Sequence, residues 1–171
     1  MPVEKKRIFI ISPYPVYPVA DGCARRIDGI SQLLEAKGCE VFLFVPKSKE
    51  TATGAVYPKG SIRVIPYRRN RKYNYFINRD LSRILKKHMA GRPDLIILNF
   101  PYLSRMVCPI ARKHKIPVHL DAHNVEHQRF ENMGRSFVAK LIYVFERYAV
   151  NNARSISVTS EIDGDTFKTK F

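Results

Sequence analysis

The chain has 171 residues, 45% hydrophobic and 26% charged, which suits one domain of ordinary size and excludes a chain disordered by composition. Lys and Arg total 30 against 15 Asp and Glu, and the net charge of +15 favours polyanionic partners such as nucleic acid, anionic lipid or phosphorylated ligands. Cys23, Cys39 and Cys108 are too few and too scattered for a disulfide scaffold, no apolar run approaches the ~20 residues that span a bilayer, and Ile8–Ile11 is too short for a signal-peptide core, so a reducing cytoplasm is expected.

Arg7–Ser12 is a continuous β-branched and aromatic run, predicting a strand buried on both faces. The prolines of Pro13–Pro18 remove backbone donors and make a stiff loop. Asp21-Gly22 opens a helix with Ile27, Ile30 and Leu34 on one stripe, ending at Gly38. Val41–Val45 predicts a second buried strand, residues 47–60 a loop, and Ser61–Tyr67 a third strand. Residues 63–92 hold ten Lys or Arg and one Asp, a net of +9. Within them a helix is expected over 76–90, with Ile77, Leu81, Ile84, Leu85 and His88 on one face. Arg79, Arg83, Lys86 and Lys87 share the other. Asp94–Asn99 reads as the fourth strand, 102–115 as a helix kinked or started late by Pro109, and Pro117–Asp121 as the fifth strand. Phe137–Asn151 is a helix burying Val138, Leu141, Ile142 and Phe145, and Ser155–Thr159 is a sixth strand.

Strands alternating with helices at this spacing predict a Rossmann-like, doubly wound parallel sheet of about six or seven strands with helices on both faces. Ligands in such sheets bind beyond the carboxyl ends of the strands. That singles out Pro13–Gly22, Phe100–Tyr102 and Asp121–Glu126. Gly22 lets a phosphate or sugar approach a helix start; the plainer reading is an Asp-Gly turn with Asp21 as cap. His123 and Glu126 crowd a strand exit; the plainer reading is a polar turn with Asn124 as N-cap and His127 on the surface. His119, His123 and His127 are spaced by four, but His119 lies in a predicted strand, and no H-E-x-x-H or paired cysteines support a metal. There is no dinucleotide fingerprint, P-loop or G-x-S-x-G elbow, and Cys108 reads as a core thiol. The basic helix reads as a solvated face, or as a face held to an anionic leaflet, each cation there contributing ~1 kcal/mol.

The order of these motifs resembles the N-terminal domain of retaining group-1 (family four) glycosyltransferases. The resemblance is carried by the Pro-Tyr-Pro loop, Asp21–Arg26, Leu34–Val41 (LEAKGCEV), Pro93–Leu98, Ile116–Val118, Asp121–Glu126, Glu146 and Ile156–Ser160, and it covers essentially the whole chain. It implies one acceptor-side domain over residues 1–171, the N-terminal half of a GT-B architecture, whose C-terminal donor-binding domain lies outside this chain. It implies metal-independent, retaining transfer from a nucleotide-sugar co-substrate to a glycan or lipid-linked acceptor, as in envelope polysaccharide synthesis, with no other cofactor. The family's paired glycines map to Asp21 and Gly22, beside the donor diphosphate, and its histidine after the fifth strand maps to His123, at the donor sugar and reacting centre. Tyr14, Tyr102, Asn124, Glu126, Arg129 and Ser160 are the expected cleft or acceptor contacts. Asp21 in place of the first glycine is a departure, because a carboxylate repels a diphosphate; Cys39 in place of the usual histidine is structural. No Glu-x7-Glu follows, so the isolated domain is expected to be inactive. The expected setting is the cytoplasm, peripheral on the inner face of the plasma membrane, with Arg79, Arg83, Lys86 and Lys87 as the anion face. A non-catalytic basic module binding nucleic acid or a protein is the alternative. It lacks a helix-turn-helix, zinc-finger or RNP motif, and it predicts salt-sensitive polynucleotide binding indifferent to His123→Ala.

Overall fold

The computed structural model describes residues 5–48, 60–68 and 76–171. Most of the loop expected over 47–60, and Arg69, Arg71 and Lys72 of the basic stretch, lie outside the described residues. Six strands form one sheet: β1 (Arg7–Ile11), β2 (Glu40–Pro46), β3 (Arg63–Tyr67), β4 (Leu95–Asn99), β5 (Val118–Ala122) and β6 (Ser155–Val158). Their order is β3-β2-β1-β4-β5-β6, every pairing is parallel, and the winding reverses between β1 and β4. The helices are α1 (Gly22–Ala36), α2 (Arg79–His88), α3 (Ser104–Lys113), α4 (Glu126–Asn132), α5 (Ser136–Asn152) and α6 (Glu161–Lys170), with a 3-10 turn at Met89–Gly91.

Alternation along the strands builds two cores. Ile8 and Ile10 pack with Val41, Leu43 and Ile97 under Ile27 of α1. Phe9 and Ile11 pack with Phe42, Phe44 and Leu98 under Leu81 and Leu85 of α2 and Val107 and Cys108 of α3. Burial of side chains of this size stabilises the fold by about 1.5–3 kcal/mol each. Helix α1 ends where Gly38 turns to φ 84°, which places its N–H on the Glu35 carbonyl and that of Cys39 on Leu34. Asn78 caps α2, its side chain accepting from the Leu81 N–H at 2.8 Å and donating to the Arg68 carbonyl at 3.0 Å.

Several expectations are corrected. The basic helix begins at Arg79, so Ile77 lies outside its apolar face and is 64% exposed. Helix α3 spans Ser104–Lys113, so it starts before Pro109 and includes it. Leu141 is on the open side of α5 at 41% exposure, because Glu146 and Ala149 complete the buried side instead. Helices α4 and α6 lie where turn or chain end was read. His127 is buried against Glu146, and the residue before α4 is Val125, so Asn124 is not its cap.

Candidate active site

The carboxyl ends of β1, β4 and β5 form one rim at the reversal of winding, where such sheets take ligands. Leaving β1, Ser12 is pinned from three directions: its N–H donates to Phe44, its carbonyl accepts from the Tyr67 hydroxyl at 2.7 Å, and its own hydroxyl closes a turn on Tyr14. Further on, the Tyr17 hydroxyl donates to Asp28 of α1 at 2.6 Å. Burial and that contact push the Tyr17 phenol well above its usual range, so it stays a donor. Asp21 then caps α1, its carboxylate turned back onto the Ala24 N–H at 2.8 Å. A Cβ at Gly22 would meet nothing within 4 Å, so neither packing nor positive φ demands glycine there.

His123 follows β5, 5% exposed. Its Nε2 lies 3.2 Å from an Asp121 carboxylate oxygen and 3.3 Å from Oδ1 of Asn99, whose amide donates to the Ile11 carbonyl. Two acceptors at Nε2 assign a proton there, and Nδ1 has no partner among the described residues. The ring stacks on Phe100 at 4.2 Å, and Phe100 holds a left-handed φ of 63° with its N–H on the Asp121 carbonyl. Such strain in a non-glycine residue persists only where its surroundings enforce it.

Asp121 is the hub. Arg26, one turn into α1, grips it through Nη2 at 2.6 Å and Nε at 3.1 Å, and Ser157 of β6 donates to it at 2.7 Å. Burial opposes ionisation, but the contacts of His123, Arg26 and Ser157 prevail and hold the carboxyl below the usual range. The Asp121–Arg26 pair therefore ties the first turn of α1, with Gly22, to the end of β5, with His123.

The remaining predicted residues divide. Glu126 is fully buried and accepts from the Tyr102 hydroxyl, from Asn124 at 3.0 Å and from Arg129 at 3.0 Å. Tyr102 is buried too, and burial with the Glu126 charge pushes its phenol far up. These two therefore stand behind the cleft wall, and it is the half-exposed Arg129 that reaches its surface. The cleft itself, about 920 Å³, is lined by Tyr14, Tyr17, Asp21, Cys23, Phe100 and Arg129 among others. Tyr14 sets its ring edge on Phe100 at 5.0 Å. Ser160 is spent on the fold, capping α6 through the Asp163 N–H at 3.1 Å. Thr159 beside it donates to the His123 carbonyl at 2.9 Å. Arg79, Arg83, Lys86 and Lys87 are exposed on α2, with Arg83 paired to Asp80 at 2.6 Å.

The chain holds one D-x-D triplet, Asp163-Gly164-Asp165. It lies in α6, where Asp163 is engaged by Ser160 and Asp165 faces Lys168 at 3.4 Å. Among the described residues no three His, Cys, Asp or Glu side chains cluster as metal ligands.

Sequence reasoning gave no role to Arg26, Asn99, Phe100, Asp121 or Ser157, although Phe100 and Asp121 lie in stretches that it singled out. Asp121 and His123 sit two apart at a strand end, which alone predicts one shared face. Asn99 pairs with Asp121 across the sheet, a register no single strand reveals.

The fold and its rim define the class: a doubly wound Rossmann-like domain whose cleft opens at the topological switch point, as in the N-terminal half of a GT-B fold. The chain belongs to Glycosyltransferase Family 4, whose profile matches residues 20–171. Among solved structures it is similar to sucrose-phosphate synthase from Thermosynechococcus elongatus, at 14% identity and a TM-score of 0.66, covering 96% of this chain and 82% of that one. No curated protein sequence matches it.

Proposed function

We propose that this domain is the acceptor-side wall of a retaining, metal-independent hexosyltransferase. It moves a sugar from a nucleotide-sugar to a glycan or lipid-linked acceptor, and a C-terminal donor-binding domain closes the cleft. One observation carries the reading: the open helix start at Gly22 and the ring of His123 are locked to the same rim by Arg26 and Asp121. Free N–H groups at the start of a long helix favour the donor's diphosphate, and Gly22 leaves room for it. Asp21 occupies the Ala24 N–H, so the phosphate contact falls to the N–H groups of Gly22 and Cys23. His123 Nδ1 accepts a donor-sugar hydroxyl, with Asp121 fixing the tautomer. Arg129 and the Tyr14 and Phe100 rings offer the acceptor a charged edge and an apolar floor, with Tyr102, Asn124 and Glu126 bracing Arg129.

Departure of the nucleoside diphosphate needs its growing charge stabilised while the acceptor hydroxyl is held in place. Gly22 and Cys23 N–H groups are too few for that, so the domain alone does not turn over. The basic face of α2 suits an acceptor presented at the cytoplasmic membrane surface. The test is release of nucleoside diphosphate from a panel of nucleotide-sugars, by the 171-residue chain and by the domain joined to its donor-binding partner. Release only by the joined form supports the reading; turnover by the chain alone sinks it.

A further inference from the structure

Of the histidines spaced by four, His123 stands at the rim and His127 is engaged by Glu146, which leaves His119 without a role. It lies two residues before Asp121 on β5 and so shares that residue's face of the sheet. The register sets His119 beside Ser155 and Asp121 beside Ser157 of β6. The ring reaches both serines, with Nδ1 2.8 Å from Ser155 Oγ and Nε2 3.0 Å from Ser157 Oγ. Half-buried His119 therefore stands one hydroxyl away from the carboxylate that holds His123.

The directions of these bonds are forced from the inner end. Asp121 is ionised and can only accept, so Ser157 gives its proton to Oδ1 at 2.7 Å. The Ser157 oxygen then accepts from His119, which places a proton on Nε2 of that ring. Burial lowers the His119 pKa; Asp121 raises it and Arg26 lowers it further, so the ring is uncharged at neutral pH and Nδ1 accepts from Ser155. The donations run one way, from Ser155 to His119 to Ser157 to Asp121, and bonds aligned in this manner strengthen one another. Arg26 grips the carboxylate from α1 and Ser157 holds it from β6, while Oδ2 is left 3.2 Å from Nε2 of His123.

We propose that His119 is a positioning residue for His123: by orienting the Ser157 hydroxyl it fixes the rotation of the Asp121 carboxylate, and with it the seat of the His123 ring. Only the kinetic consequence rests on the reading of His123 as the group beside the donor sugar. The positioning itself is a property of this chain.

Imidazole nitrogen NMR of the 171-residue chain tests the row of bonds. At about pH 8, where such a ring is neutral, His119 is expected as the Nε2–H tautomer. An Nδ1–H tautomer would break the row and overturn the proposal. His119→Leu and Ser157→Ala should each speed exchange of the His123 Nε2 proton with water about tenfold, and the two together no more than either alone. His119→Gln keeps an N–H donor at the end of the side chain and should restore slow exchange. Backbone amides of Ser155–Val158 should keep their protection in His119→Leu, as they would not if the ring merely tethered β6. The proposal is overturned by a His123 proton indifferent to these substitutions, by a glutamine no better than leucine, by effects that multiply, or by a loss of protection along β6 equal to that at His123. In the domain joined to its donor-binding partner, Ser157→Ala should lower kcat about threefold at unchanged KM. An unchanged kcat beside a loosened His123 ring counts against the sugar reading alone.

Discussion

Gly22 and Arg26, four residues apart, separate what the fold needs from what the chemistry needs. Gly22→Ala places a methyl group in open space at a helix start, so stability should change by less than about 1 kcal/mol. Turnover of the joined enzyme should nevertheless fall, because the methyl stands where the donor phosphate approaches. Equal losses of stability and activity would return Gly22 to a purely structural role. Arg26→Gln strips the main countercharge from a buried carboxylate that keeps Ser157 and His123, which should cost about 2–4 kcal/mol in urea denaturation. The pH dependence has a defined sign. Folding holds Asp121 below its ordinary range, so the unfolded chain takes up the proton first as pH falls. Its stabilisation is complete above about pH 5 and drains away below, and Asp121→Asn should flatten the fall of the denaturation midpoint from about pH 5 down to about pH 3. Of this network the sequence exposed His123, as a polar residue at the exit of the fifth strand. Arg26 was hidden because its partner lies 95 residues along the chain and Arg25 beside it looks identical.

Among the elements α4 is the one that another element creates. Its seven residues have no side-chain cap of their own. Glu146 of α5 supplies the cap, accepting from the backbone N–H groups of Glu126 and His127 at 2.6 and 3.1 Å, and from the His127 ring at 2.5 Å. Burial raises the Glu146 carboxyl, and the His127 and Glu126 contacts pull it back. Glu146→Ala leaves those donors buried without a partner. Hydrogen exchange should then quicken across Glu126–Asn132 well beyond the rest of the sheet, while uniform protection would deny the capping role. This dependence explains why the helix was illegible: seven mostly polar residues show no apolar period, and the cap comes from 20 residues downstream. Helix α6 has its own cap in Ser160 but was missed because Phe167 is its single buried residue, which leaves no apolar period. The strands were legible because Ile8–Ile11, Val41–Val45 and Leu95–Leu98 are apolar on both faces, as buried parallel strands must be.

At the scale of the whole molecule, strand order decides the site. Placing β1 beside β4 brings the loop of Tyr14–Gly22 and the exit of β5 to one rim, a juxtaposition that alternating strands and helices foretell in kind. They do not foretell which polar residues end up facing solvent. Glu126 and Tyr102 carried the expected chemistry by type, yet both are buried, against Glu146 and Ile142 of α5, and Arg129 alone of that trio lines the cleft. The measurement that bears most directly on the account is the rate of nucleoside diphosphate release by the domain joined to its donor-binding partner, before and after His123→Ala. With the fold preserved, the account predicts a loss on the order of a hundredfold in kcat, as for removal of one well-placed polar contact to a reacting centre. An undiminished rate in that variant would contradict it.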